Sequence, residues 1–209
     1  MPSRVYTVVS MKRLTIIGHR GAKGLAKENT KESILAALEN KADSIEIDLR
    51  VQDGNIILSH DTTVRTEDYC SLQDALLSIN ELVPVILDIK DPKVVDLLPS
   101  ALSSYNGSVV FTSHSFRVLQ HVKKLIPDAE LAIIEKWSGV RAVAEATLLG
   151  TKRIHIKQNW LWSKVVRSMV AEGYDLYPYT VNTKLRAQEL ADWGVSGIFT
   201  DYPDRFNKK

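Results

Sequence analysis

Short apolar, β-branched runs alternate with amphipathic stretches along the whole chain, and this alternation restricts its fold more than any other feature. Eight runs read as main strands: LTIIGH from Leu14, SIEIDL from Ser44, VPVILDI from Val83, SVVFTS from Ser108, ELAII from Glu130, RIHI from Arg153, YDLYPYTV from Tyr174 and SGIFTD from Ser196. A further run, NIILSH, follows the polar turn Asp53-Gly54 and reads as an added hairpin arm. Between them the periodicity predicts helices over 31–40, 72–78, 94–104, 116–125, 140–149, 161–172 and 185–193. The last three are stopped by Gly150, Gly173 and Gly194. Continuous apolar strands that alternate with helices mark parallel βαβ units. Eight such units predict a closed (β/α)8 TIM barrel of the α/β class rather than an open doubly wound sheet. The fingerprints GxxxxGK[ST] and GxGxxG, which would favour the open sheet, are absent.

Composition narrows the classes of function. The 27 Lys and Arg nearly balance the 25 Asp and Glu, for a net charge of +2, so nothing points to a nucleic-acid partner. No segment approaches the roughly 18 apolar residues of a membrane span, so no integral membrane association is expected. The run from Val5 to Val9 is too short for a secretory signal and is broken by Thr7. A single Cys70 excludes an internal disulfide and fits a reducing compartment, so the expected location is the cytoplasm. The expected organisation is an N-terminal extension over 1–13 and one catalytic barrel over 14–209, and a homo-oligomer is compatible with it.

In such barrels the active site lies at the C-terminal ends of the strands. Those ends carry His19-Arg20, Glu46 and Asp48, Asp88 and Lys90, Thr112 with His114, Glu135, His155 with Lys157, Tyr179 with Asn182, and Asp201. Residues i and i+2 of a strand share a face, so Glu46 and Asp48 point the same way, as do Asp88 and Lys90. Charge on the inner face of a barrel is costly unless a cation or a partner group compensates it. Three carboxylates converging from neighbouring strands suit a hard divalent cation, Mg2+ or Ca2+ with Mn2+ also allowed. Arg20 and Lys90 add positive charge suited to an anionic substrate. Each piece also has a plainer reading. Asp48 with Arg50 reads equally as an ion pair, Asn29 or Thr30 as a helix N-cap, His121 as a surface residue, and the aromatics at 160, 162, 177 and 179 as packing.

The residues from Ile17 to Thr66 resemble the opening of the glycerophosphodiester phosphodiesterase family. They present HRG at His19 to Gly21, ENT at Glu28 to Thr30, E-x-D at Glu46 and Asp48, DG at Asp53-Gly54, and HD at His60-Asp61. SHSFRVLQHVKKLIPDAEL resembles the family's middle segment, and YTVNTKLRAQELADWGVSGIFTDYPDRF its close, over about residues 14 to 206 in all. The resemblance implies a barrel that hydrolyses glycerophosphodiesters to sn-glycerol 3-phosphate and an alcohol with one divalent cation. Carried over by position, it implies His19 and His60 as the acid/base pair and Glu46, Asp48 and Asp88 as metal ligands. It also implies Arg20, Lys90, Tyr179 and Glu28 as substrate-binding residues. A phosphodiester is anionic, so attack needs its charge neutralised, and two imidazoles titrating near neutrality suit the paired proton transfers. Gly21 is expected to leave room for the phosphate.

This chain departs from the family's usual pattern at three points. Asp88 stands where the family usually has Glu, and Tyr179 where it usually has Trp. Only 22 residues (62–83) lie between Asp61 and Pro84, so the family's small insertion lobe is expected to be missing. Trp160 and Trp162 are candidates to enclose the substrate in its place. The rival reaction is a lysophospholipase D-like cleavage of lysophospholipids at the same site. From another class, a catalytically dead sensor barrel is disfavoured by the presence of both His19 and His60.

Overall fold

The computed structural model describes residues 13–62 and 69–206. The expected N-terminal extension, Arg13 apart, lies outside the described residues. Nine strands form: β1 (Thr15–Gly18), β2 (Ser44–Gln52), β3 (Asn55–Leu58), β4 (Val85–Ile89), β5 (Val109–Ser113), β6 (Glu130–Glu135), β7 (Arg153–Lys157), β8 (Asp175–Tyr179) and β9 (Gly197–Thr200). The helices are α1 (Lys31–Glu39), α2 (Leu72–Ile79), α3 (Val94–Ala101), α4 (Phe116–Leu125), α5 (Gly139–Leu149), α6 (Ser163–Ala171) and α7 (Lys184–Trp193). Eight strands pair in parallel in the order β8-β7-β6-β5-β4-β2-β1-β9, and β3 folds back antiparallel on β2. The ring closes between β8 and β9 through Ser196 N–H to Leu176 O at 2.9 Å and Val181 N–H to Phe199 O at 2.8 Å. That seam is thin, and Pro178 in the middle of β8 has no N–H to offer a neighbour.

Most strands are buried on both faces, which is why they read as unbroken apolar runs; β8, where Asp175, Tyr177 and Tyr179 are only half-buried, is the exception. Ile45, Ile47 and Leu49 of β2 pack outward into the layer between barrel and helices. Inside the barrel a smaller apolar layer of Ile17, Ile86, Val110, Ala132 and Phe199 is capped by polar side chains. The division follows from the two-residue period of a strand, and it sets Glu46 and Asp48 opposite in sense to Ile45 and Ile47.

Helix ends follow local chemistry. Thr30 caps α1 by accepting the Ser33 N–H, and the Ser33 hydroxyl accepts the Thr30 N–H in return. Gly150 and Gly194 end α5 and α7 at φ 71° and 99°, where a side chain would be strained. Two helices are shorter than the periodicity suggests. Pro99 within α3 lacks an N–H, and α3 ends at Ala101 rather than running to 104. The 3-10 turn Gln158–Trp160 occupies part of the span expected for α6, which begins at Ser163. Past β9 the described chain forms only the 3-10 turn Pro203–Arg205. Among the described residues no helix is long and apolar enough to cross a membrane.

Candidate active site

The chain turns sharply after β1, with Arg20 at φ 52° and Gly21 at φ 78°. The turn is pinned to β2 by Arg20 N–H donating to Glu46 Oε2 at 2.8 Å and Gly21 N–H donating to the Glu46 carbonyl at 3.0 Å. A Cβ on Gly21 would lie 2.4 Å from Ser33 Oγ and 2.5 Å from the Ser33 carbonyl carbon. Gly21 therefore makes room for α1, not for a phosphate as the sequence suggested.

Glu46, Asp48 and Asp88 are each at most 4% exposed, and the parallel register sets Asp48 beside Asp88. One oxygen from each lies within 4.8 Å of the others, so the shorter Asp88 still reaches the group. Burial, then the charges of Asp48 and Asp88, hold the Glu46 carboxyl well above the usual range. Burial lifts Asp88 to about 6 against the pull of Lys90, with Asp48 adding to the rise. Burial also pushes Asp48 up, but Lys90, Arg20 and Asn29 outweigh it and its net shift is downward. Asn29 sits in the left-handed region at φ 57°, giving its Nδ2–H to Asp48 Oδ2 at 2.9 Å and accepting the Asp48 N–H at 3.1 Å. Lys90 bridges Asp48 at 3.0 Å and Asp88. Asp88 Oδ1 is buried without a hydrogen-bond partner. An all-oxygen donor set that keeps a buried oxygen unsatisfied beside mutually repelling carboxyls fits a hard divalent cation.

Two histidines face this cluster across a cavity of about 310 Å³, which both line. His19 Nδ1 lies 2.7 Å from Asp201 Oδ1. Asn182 holds Asp201 in turn, giving Nδ2–H to Oδ2 at 2.8 Å and accepting the Asp201 N–H at 2.9 Å. Burial lowers the His19 pKa, and the Asp201 hydrogen bond opposes that shift only in part. His60 is 40% exposed, with Nδ1 2.9 Å from Asp61 Oδ1. Its carbonyl accepts Arg50 Nε–H at 3.1 Å and Nη2–H at 2.8 Å, so Arg50 steadies the His60 backbone instead of pairing with Asp48. His114 also lines the cavity, with its pKa pulled down to about 4 by burial, then by Lys90 and Lys136. His155 on the cavity floor is held neutral by burial, and its Nε2 accepts Arg153 Nε–H at 3.2 Å. His121 lies on the surface as expected, 3.2 Å from Asp96.

Arg20 and Tyr179 line the cavity with Lys90. Glu28 does not; its carboxylate accepts Arg20 Nη1–H at 2.9 and 3.0 Å, and Lys23 lies 3.6 Å away. Glu135, a strand-end residue by sequence, turns its carboxylate away to collect the N–H groups of Lys136, Trp137 and Ser138 and the side chain of Arg141. It builds the β6–α5 loop. Trp160 and Trp162 do not line the cavity: the Trp160 indole donates to the Lys136 carbonyl at 2.6 Å, and Trp162 is 57% exposed. Three site contributors had no role from sequence. Asp201 and Asn182 stood at strand ends, and Asn29 read as a cap; only the turn geometry shows it gripping Asp48.

The family model described as "Glycerophosphoryl diester phosphodiesterase family" matches residues 19–78 and 68–205. A glycerophosphodiester phosphodiesterase of Bacillus subtilis is 27% identical over 257 residues, covering 96% of this chain and 88% of its own. Another, from Caldanaerobacter subterraneus, is 25% identical, covering 93% and 96%. Among solved structures, a phosphodiesterase of Oleispira antarctica in complex with the product sn-glycerol-3-phosphate superposes with a TM-score of 0.85 at 21% identity, over 92% of this chain and 94% of that one. The glycerophosphodiester phosphodiesterase of Thermotoga maritima superposes with a TM-score of 0.80 at 18% identity, over 93% and 97%. These two likenesses speak for the barrel.

Proposed function

The chain belongs to the glycerophosphoryl diester phosphodiesterase family and is an enzyme of that family, and from this premise we propose how its own residues hydrolyse a glycerophosphodiester to sn-glycerol 3-phosphate and an alcohol. One observation carries the reading: His19 and His60 line the same cavity as the buried Glu46 and Asp88, with Arg20 and Lys90 beside them. Residues 14–209 act as one catalytic barrel, placed in the cytoplasm on the strength of its unpaired Cys70.

Glu46, Asp48 and Asp88 would hold one divalent cation, Mg2+ or Ca2+ with Mn2+ also allowed, and when bound it supplies charge neutralisation for the phosphoryl oxygens. Arg20 and Lys90 bind the remaining phosphate charge. Their guanidinium and ammonium are already oriented by Glu28 and by Asp48 and Asp88, so little reorganisation is needed on binding. Tyr179 lies against the glycerol.

Asp201 accepts the Nδ1–H of His19, which leaves Nε2 as the free lone pair. Burial keeps this imidazole neutral, so it serves as a base. It takes the proton of the glycerol hydroxyl next to the phosphate, whose oxygen forms the new bond to phosphorus. His60 gives its proton to the alcohol oxygen as the old phosphorus–oxygen bond breaks. Water then opens the cyclic phosphate with the two histidines exchanging roles.

The test is His60→Ala on two substrates, read as the single-turnover rate of alcohol release, which precedes the water step that both substrates share. A glycerophosphodiester with a poor alkoxide leaving group should slow by about 10²-fold or more, and one with a nitrophenol leaving group far less. Equal losses on both would remove the acid role.

A further inference from the structure

The wall of the cavity facing away from the carboxylates carries two lysines that the reaction above leaves unused. Lys136 follows β6 and Lys157 ends β7. The register pairs Ile134 with His155 and Glu135 with Ile156, so one further step brings Lys136 and Lys157 to adjacent strand ends. Both line the cavity. Like charges at neighbouring strand positions are destabilising, so folding alone gives no reason for the pair.

The other cations of the cavity are neutralised. Arg20 pairs with Glu28 and Asp48, Lys23 with Glu28, and Lys90 with Asp48 and Asp88. Among the described residues, Lys136 and Lys157 have no acidic partner; the neighbouring Glu135 carboxylate is taken by Arg141 and three loop N–H groups. Both lysines are positioned. The Lys136 backbone is fastened at its N–H by Glu135 at 2.7 Å and at its carbonyl by Trp160 at 2.6 Å. The Lys157 ammonium lies 4.9 Å from the centre of the Trp137 ring, which holds it by a cation–π contact.

We infer that Lys136 and Lys157 form a leaving-group subsite that selects glycerophosphodiesters whose alcohol carries a second anionic group, a phosphate or a carboxylate, over those with a cationic alcohol. The inference rests on the reaction proposed above and specifies its substrate. The diester phosphate sits with Arg20 and Lys90, and the alcohol extends toward the β6 and β7 ends.

Competing substrates test it: glycerophosphoglycerol as the neutral reference, its glycerate and glycerol-phosphate counterparts as the carboxylate and phosphate arms, and glycerophosphocholine as the cationic one. Lys136 is exposed and Lys157 half-buried, so each ion pair is modest, and the two together should favour at least one anionic arm over the neutral reference by roughly tenfold in kcat/KM at low salt, with choline below the reference. The ratio should collapse toward one in a Lys136→Gln, Lys157→Gln protein and persist in the Lys136→Arg, Lys157→Arg protein, whose folding is checked by thermal melting. The arm that wins identifies the group. A wild-type enzyme that turns over all four substrates without preferring either anion overturns the inference, as does a preference that survives the glutamine pair. A protein that hydrolyses none of them overturns the proposed reaction itself and the subsite with it.

Discussion

Asp201→Asn tests the His19 base most sharply. The carboxylate accepts two hydrogen bonds, from His19 at 2.7 Å and from Asn182 at 2.8 Å. A carboxamide has a single oxygen. With that oxygen toward Asn182, its NH2 faces His19 Nδ1 and forces the ring proton onto Nε2, the atom that must accept the substrate proton. A hydrogen bond to a charged group contributes about 1.5 to 3 kcal/mol, so kcat/KM should fall by roughly 10- to 150-fold. The pH profile separates this from simple damage. Burial lowers the His19 pKa, and Asp201 pulls it back up. A base must be unprotonated, so its pKa sets the acid limb of kcat/KM. Without the carboxylate that limb moves to lower pH while the plateau falls. The assay is glycerol 3-phosphate release from glycerophosphoglycerol between about pH 5 and about pH 9, each variant checked by thermal melting. A rate within about twofold of wild type, with the acid limb unmoved, would refute the assignment.

Three further outcomes follow from the same geometry. Gly21→Ala must place a Cβ 2.4 Å from Ser33 Oγ at φ 78°, so urea denaturation should show a loss of about 2 to 4 kcal/mol from left-handed strain and overpacking; a loss under about 1 kcal/mol would mean the turn relaxes freely. Asn29→Ala leaves the buried Asp48 N–H without its acceptor and removes one of the two partners of Asp48 Oδ2, Arg20 remaining, and should lower stability by about 1 to 3 kcal/mol in the same assay; no measurable loss would mean that water replaces the amide. Stripped of divalent cation, the protein should lose stability as pH rises from about 4 through about 6, because burial raises the folded-state pKa of Asp88 and Glu46 above their unfolded values. Added Mg2+ should therefore raise Tm more near pH 8 than near pH 5 by calorimetry, and equal shifts would contradict the assignment of the carboxylates.

The barrel was legible because burial on both faces leaves strands as unbroken apolar runs, and the inward carboxylates stand out as interruptions at even spacing. That pattern located Glu46, Asp48, Asp88 and Lys90 without any view of the fold. Contacts made across the ring were beyond its reach. His19 and Asp201 come together only because β9 pairs with β1 and brings the two ends of the described chain side by side. Asn29 looked like a helix cap because local chemistry favours Asn there; its left-handed backbone, not its identity, turns the amide onto Asp48. Glu135 shows the converse. It ends a strand as a catalytic residue would, yet the loop behind it offers three N–H groups and an arginine, and the carboxylate goes to them. Gly21 also misled, since sequence cannot tell whether helix or ligand needs the missing Cβ.

Under the proposed reaction, Glu46, Asp48 and Asp88 hold one divalent cation, and activity depends on it. The most direct measurement is release of sn-glycerol 3-phosphate from glycerophosphoglycerol by the purified protein, after exhaustive chelation and then along titrations with Mg2+, Mn2+ and Ca2+. The expected result is a rate at background when chelated and restored with saturation by at least one cation, with Glu46→Gln needing at least about tenfold more of it. Full activity after chelation, or no release of glycerol 3-phosphate with any cation, would contradict it.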